Sequence, residues 1–542
     1  MRRRCCQRVF ALLVSAAALA LVIPAFPQNT EANIRVLRDS KHDVSLPLRE
    51  LAQNAPQPGA EMFEKEEHRA PEGFFTAIPG IDPVVQDNYL PLVAMSGLLS
   101  FDGVTGLEAC GGCIPPDTNG SVGGTQFVEI VNTSIQVYDK TTGSAELSRP
   151  VAISTLWKGF EGACESFNGG DPVALFDKLA QRWLVTQLSY DIADNTYFLC
   201  IAVSTTVDAT GAYNRYSFAT GSDLPDYPKY AVWPDAYYGT HNLYATPSFA
   251  FLGAEPCAFD RTAMLAGGSA SMICIKPNPA NFGFLPSDLD GQTPPPTGAP
   301  NHYVELGNHT NELKEFDFHV DFADPQSSTF TGPNVINVPN YVLLCNDGNV
   351  FACVPQPKPG GKVDALGGML MFRLAYRNFG DHEAMVVPHA VAPGEGSSAT
   401  VATRWYELRS TGGGAFSLYQ AGTFQSQTDN VWMASMAMDK QGNIAMGMSA
   451  DSAANLDPSI WYTGRMPSDP LGQMEAPTVV VTGNAVQVDG GNRWGDYSSM
   501  SVDPSDDCTF WYSQEYYNKK NGGSQSSNWS THMASFKFSG CN

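Results

Sequence analysis

An all-β fold is what this sequence predicts, on three observations. Charged residues are only 16% of the 542, while 50 glycines, 38 prolines and 11% aromatics are spread along the chain. That composition suits many short strands joined by tight turns rather than long helices. Helical periodicity is scarce; Asp260-Arg261-Thr262-Ala263-Met264-Leu265 is the one stretch that suggests a short helix. Finally, a unit recurs in which a polar, often acidic loop leads into a short apolar strand, a turn with Asp, Asn or Gly, and a strand rich in aromatic or β-branched residues.

The recurrence sharpens the class. The turn positions Asn119, Asp177, Asp235, Asp439 and Asp503 lie 58, 58, 204 and 64 residues apart. The long gap holds two further units, placed around His302-Tyr303-Val304-Glu305-Leu306 and Gly368-Met369-Leu370-Met371-Phe372-Arg373. A period near 60 fits a four-stranded blade with its loops. Seven such units close a β-propeller without free sheet edges. Trp529 to Phe538 is a good terminal strand, placed to complete a blade begun by the N-terminal part of the body. A pair of β-sandwiches is the competing architecture, but its strands would recur at closer and more even spacing.

In chain order, Arg2-Arg3-Arg4 followed by the apolar run Val9 to Ile23 reads as a signal peptide over 1–27, cleaved between Ala25 and Gln28. The run is short for a membrane span, and no second one follows, so the mature chain is expected to have no transmembrane segment. Residues 28–97, with mixed charge and Asn54-Ala55-Pro56-Gln57-Pro58-Gly59, read as an extended or partly disordered leader. The propeller domain is then 98–542. Twelve cysteines less Cys5 and Cys6 of the signal leave ten. In an exported protein these read as disulfides, with local pairing expected: Cys110–Cys113, Cys164–Cys200, Cys257–Cys274, Cys345–Cys353 and Cys508–Cys541. A secreted or periplasmic location follows. Zinc at Cys110-Gly-Gly-Cys113 lacks a second ligand pair.

The formal net charge of −23 excludes nucleic acid, whose phosphates need clustered Lys and Arg. There is no Gly-x-Ser-x-Gly elbow, Gly-rich phosphate loop, His-Glu-x-x-His or EF-hand loop. What remains lies in the polar loops. In a propeller, the loops entering the innermost strands gather at one end of the central channel. Asp117, Asp171, Asp226 and Asp496 each stand just before such a strand, so four loops bring carboxylates to one axis. Converging carboxylates raise one another's pKa unless a cation compensates. Lys229 and Arg493 stand in the same loops, and calcium is the hard ion that such a ring of oxygens could take, with Asp117, Asp171, Asp226 and Asp496 as its ligands. The structural alternative is that each Asp braces its own turn. Trp494 and Tyr497, with Tyr227, Tyr237, Tyr238, Tyr516 and Tyr517, could stack on sugar rings or pack between blades. Asp171, Asp226, Asp496 and Glu515 are the acids from which a glycosidase pair would be drawn. His302, His309 and His319 fall close together, and His302 could meet His309 across a hairpin near Glu305.

Pro115-Pro116-Asp117-Thr118-Asn119-Gly120, Asp226-Tyr227-Pro228-Lys229 with Val232-Trp233-Pro234-Asp235-Ala236-Tyr237-Tyr238, and Arg493-Trp494-Gly495-Asp496-Tyr497-Ser498 with Asp507-Cys508-Thr509-Phe510-Trp511-Tyr512 resemble motifs of a group of large secreted bacterial proteins. The resemblance spans about residues 100 to 542. It implies an exported propeller and transfers no catalytic role. The functional expectation is an exported, non-catalytic binding or scaffold protein of the envelope or exterior, with a glycan or envelope protein as partner. The alternative is a carbohydrate-active enzyme, hydrolase or lyase, using the axial carboxylates.

Overall fold

In a computed structural model that describes residues 34–55, 58, 70–71, 73–91, 95–347, 352–394, 400–488, 492–519 and 529–542, the chain is a β-propeller. The expected signal peptide lies outside the described residues. Among those described, the strands group into seven antiparallel meanders of four, here called blades 1 to 7. Their innermost strands are Asn119–Val122, Val173–Asp177, Leu224–Val232, Leu285–Asp290, Leu374–Asn378, Asn430–Met438 and Ser499–Val502. Each packs beside the next, and the seventh returns to the first, which closes the ring. The inner strands of blades 4 and 5 go further and pair in parallel, Ser287 opposite Leu374 through Asp290 opposite Arg377.

The inner strands are buried on both faces, which is why they read as apolar or small runs such as Val173-Ala174-Leu175-Phe176 rather than as strict alternation. Ser499-Met500-Ser501-Val502 forms its strand as the sequence suggests. Its turn is tied by Asp503, which accepts the Ser505 N–H at 2.9 Å, and by Asp506, which accepts those of Cys508 and Thr509. Neighbouring blades meet closely where a side chain is missing. A Cβ on Gly447 of blade 6 would stand 2.5 Å from the Tyr512 ring of blade 7.

The structure moves several sequence boundaries. Blade 4 has His302 on its second strand, Asn301–Leu306, not its first; the inner strand lies earlier, at Leu285–Asp290. Gly368 to Arg373 precedes the inner strand of blade 5 and does not form it. Closure does use Trp529–Phe538, but this strand belongs to a blade built by the C-terminal part, and Met95–Thr105 adds the fourth strand along it. The boundary expected at 98 therefore falls inside a strand. Part of the expected leader is also docked: Lys41–Val44 pairs with Tyr213–Gly221 as a fifth strand of blade 2, and Ile34–Arg38 with Ser271–Ile275 as a fifth strand of blade 3. Alternating burial along these two short strands is the pattern of an added edge strand with one face on the body.

All five expected disulfides are present. The short helix Arg261–Ala266 is present as well. Asp260 caps it by accepting the Ala263 N–H at 2.9 Å, and Gly267 ends it at φ 71°. Arg261 at its start reaches Asp177, at the end of blade 2's inner strand, with Nε 2.7 Å from Oδ2; the Tyr237 hydroxyl donates to the same carboxylate. No helix of the described residues is long and apolar enough to cross a membrane.

Candidate functional site at the propeller axis

Entry into the inner strands follows one backbone rule. Asp117, Asp171, Tyr227, Met433 and Asp496 all have left-handed φ, between 48° and 63°. They belong to blades 1, 2, 3, 6 and 7. Aspartate tolerates this region because its short side chain bonds locally, whereas Tyr and Met pay strain there. The equivalent of Asp117 in blade 3 is thus Tyr227. Asp226 comes one residue earlier, opposite Asn242, at the edge of a bulge between Asp226 and Lys229. Sequence spacing aligned the wrong member of this pair, because the bulge adds a residue that no local signal reveals.

The bulge serves Lys229. Its ammonium lies over the face of Tyr227, 2.8 Å from the ring centroid, and 4.2 Å from that of Tyr497. It also donates to the Tyr227 carbonyl at 3.2 Å. Complete burial pulls its pKa well below the ordinary lysine value, and Asp171, Asp496, Asp226 and Asp117, in that order, pull it back up. All four aspartates singled out in the sequence therefore act on one amine. Burial raises the Tyr227 and Tyr497 hydroxyls far above their usual pKa, and the same carboxylates add to it.

The carboxylates are engaged from several blades at once. Asp171 accepts the Tyr227 N–H at 3.0 Å, and its own N–H donates to Asn132 Oδ1 at 3.0 Å, which links blades 1, 2 and 3. Asp496 holds Arg493 in an ion pair, and its carbonyl accepts the Tyr227 hydroxyl at 2.7 Å. The Tyr497 hydroxyl donates back to the Pro228 carbonyl at 2.8 Å. Blades 3 and 7 are thereby clasped across the ring, 269 residues apart in sequence.

A polar lid that the sequence reading missed covers this end. The hairpin of Ala352–Pro355 and Lys362–Asp364 brings in the fully buried Asp364, whose Oδ2 lies 4.0 Å from Arg493 Nε. Its N–H donates to the Asn492 carbonyl. Gln356 and Gln487 exchange amide bonds beside it, and Gln487 Nε2 donates to the Arg493 carbonyl and the Tyr517 hydroxyl. Asp364 escaped notice because its inner strand starts ten residues later, so the polar-loop-then-strand pattern is broken there.

The calcium expectation does not fit these residues. Calcium takes six to eight oxygens, and here Asp171 already accepts an N–H, Asp496 already pairs with Arg493, and all four carboxylates already act on the Lys229 amine. Among the described residues, donor groups close enough to share an ion occur elsewhere, at His241, Glu255 and Cys257 and at His302, Glu315 and Asp317. In the first, Cys257 is already in a disulfide. In the second, His302 Nδ1 lies 3.0 Å from Glu315 and 2.7 Å from Asp317, and these carboxylates lift its pKa to about 9 against the desolvation of a buried ring. His302 does not meet His309, which pairs with Glu312 at the far end of the hairpin; Glu305 pairs instead with Lys314.

The aromatics proposed as sugar platforms are internal. Trp494, Tyr497, Tyr237, Tyr238, Tyr516 and Tyr517 are all buried, with Trp494 stacked on Tyr517 and tilted against Trp432. Glu515 is buried in the second strand of blade 7, with the Gly495 backbone as its neighbour. Burial drives its pKa well above the ordinary carboxylate range, against the Gly495 N–H, which lowers it.

No family model matches the chain, and no curated protein does. Solved structures of similar fold are β-propellers. Phage phi92 endosialidase has a TM-score of 0.34 at 9% identity over 78% of this chain and 68% of its own. The α-L-arabinofuranosidase Arb93A from Fusarium graminearum has 0.33 at 9% over 78% and 92%. The WD40 domain of SCAP from fission yeast has 0.31 at 8% over 77% and 82%. At such identities the likeness concerns fold alone.

Proposed function

We propose that this protein is an exported propeller of the envelope or exterior that binds a glycan or an envelope protein without transforming it. The observation that carries this reading is the state of the axial carboxylates. Asp117, Asp171, Asp226 and Asp496 all act electrostatically on the buried Lys229, and Asp171 and Asp496 are further engaged by Tyr227 and Arg493. Asp171 and Asp496 are used to hold the ring together, which leaves partner recognition to loops and blade surfaces. Five disulfides suit an oxidising compartment.

One observation favours a second reading, a carbohydrate-active hydrolase or lyase. An amine with a lowered pKa among carboxylates and tyrosines is the kind of group that acid–base chemistry uses. The two readings part in one experiment. Purified protein, with Lys229→Met and Asp496→Asn, is put through a glycan array and a reducing-sugar and unsaturated-product assay on envelope polysaccharides. The binding reading expects array signals that survive both substitutions in the folded fraction, with no turnover. Turnover by the native protein that both variants lose would replace it with the enzymatic reading.

A further inference from the structure

A cavity lies away from the axis, in the groove between blades 5 and 6. It encloses about 190 Å³, enough for a single sugar ring. Its walls include Phe379 and Tyr419, two arginines, Arg409 and Arg465, the carboxylate of Glu407, and Leu471. Tyr419 and Leu471 are exposed, so the cavity is open to solvent.

Its electrostatics are unbalanced. Arg409 is matched: Nε is 2.5 Å from Glu407, and its guanidinium lies flat on the Tyr419 ring at 3.5 Å from the centroid. Glu407 is also bonded by Gln420. Arg465 is almost fully buried, and its bonds go to neutral acceptors, the Asp469 carbonyl at 2.8 Å and that of Pro470. Its buried Nε has no hydrogen-bond partner in the structure. In the lining, two arginines face the single carboxylate of Glu407, and burial depresses the Arg465 pKa even though Glu407 and, from outside the lining, Asp469 raise it. A buried cation in this condition is stabilised by an added anion. The walls add apolar faces of the kind that pack on a sugar ring.

We propose that this groove is a binding site for an acidic sugar, a uronate whose carboxylate meets the Arg409 and Arg465 pair and whose ring lies against Tyr419 and Phe379. The proposal rests on the reading of the protein as a glycan binder and names the class of sugar.

The test uses the whole protein with methyl galacturonate as probe and methyl galactoside and acetate as controls, read by saturation-transfer NMR and calorimetric titration. Transfer to the uronate ring protons is expected, with at least tenfold weaker binding of the galactoside and incomplete displacement by acetate. Tyr419→Ala and Arg409→Gln, both at solvent-accessible positions, should each weaken uronate binding at least tenfold while keeping the native melting profile. No uronate binding, equal binding of the galactoside, full displacement by acetate, or binding that survives both substitutions would each overturn the site. A positive glycan array together with any of these results leaves the binding function standing without this groove. A negative array together with them removes both.

Discussion

At the residue scale, Lys229 is the side chain whose loss should matter most. Replacing it with Met removes the amine on which four buried carboxylates act. Breaking such a buried ionic arrangement costs about 3–5 kcal/mol, measurable by denaturant unfolding. Part of the loss should return when Asp496→Asn is added, because the remaining repulsion falls; a double variant no better than the single one would show that the amine and the carboxylate are not coupled. Asp496→Asn alone should cost about 1–3 kcal/mol through the Arg493 pair. Chelator and added calcium should leave the melting of the native protein unchanged, since Asp496 is already paired with Arg493 and Asp171 already accepts the Tyr227 N–H. Much of this cluster was legible. Asp-x-Asn-Gly, Asp-Tyr-Pro-Lys and Arg-Trp-Gly-Asp-Tyr each announce a polar loop before a strand, and Lys229 and Arg493 could be named as the neutralising cations. The exchange of Asp226 for Tyr227 could not be read, since a bulge depends on the register with the partner strand. Asp364 was invisible because its proximity to Arg493 is made by tertiary folding of a hairpin with no repeat signature.

At the scale of elements, the last disulfide and the blade contacts invite two measurements. Cys508 and Cys541 close a span of 33 residues around the outer part of blade 7. Opening it by Cys508→Ser should cost about 3–4 kcal/mol in the loop-entropy account, seen as a fall in the urea midpoint under non-reducing conditions. Gly447→Ala would push a methyl into the Tyr512 ring at the junction of blades 6 and 7. Overpacking of this kind costs about 1–3 kcal/mol, and a neutral result would mean that the two blades can slide apart. Strand types were readable here because apolar and aromatic runs survive in each unit, and the cysteine pairs were expected from nearness along the chain. The edge strands Ile34–Arg38 and Lys41–Val44 were not. They are 5 and 4 residues long, and what makes them strands is the free edge of blades 3 and 2 on which they lie.

For the whole molecule, the buried acids set the response to pH. Glu129, Asp235, Asp439, Asp451, Asp457 and Glu515 all have pKa values raised by burial, and Glu305 is pushed up to about 8. Each keeps its proton in the folded chain at pH values where the unfolded chain has released it, so stability is lost as pH rises from about 4 toward 8. His389 and His532, with lowered pKa, act oppositely up to about pH 6.5 but are fewer. Below about pH 4 the carboxylates with lowered pKa, Asp39, Asp208, Asp317, Asp506 and Glu255 among them, lose the stabilisation they give when ionised. Melting temperature should therefore peak on the acid side of neutrality and decline toward pH 8. Differential scanning calorimetry across pH 3 to 9 checks this, and a maximum above pH 7.5 would show that buried acids do not govern the balance.

The closure of blade 7 also fixes an order of events in the life of the chain. Among the described residues Met95–Thr105 pairs with Trp529–Phe538 alone, so residues made early must wait for that late strand to exist. At the usual pace of a ribosome that interval is on the order of tens of seconds. Throughout it the early strand is an open edge, able to recruit the wrong neighbour. Its sequence answers that exposure: Ser96, Gly97, Ser100, Asp102 and Gly103 interrupt the apolar residues and leave little for another strand to grip. A nascent chain halted short of Trp529 should accordingly stay protease-sensitive over its whole length, because a ring lacking its final strand has no finished part to protect.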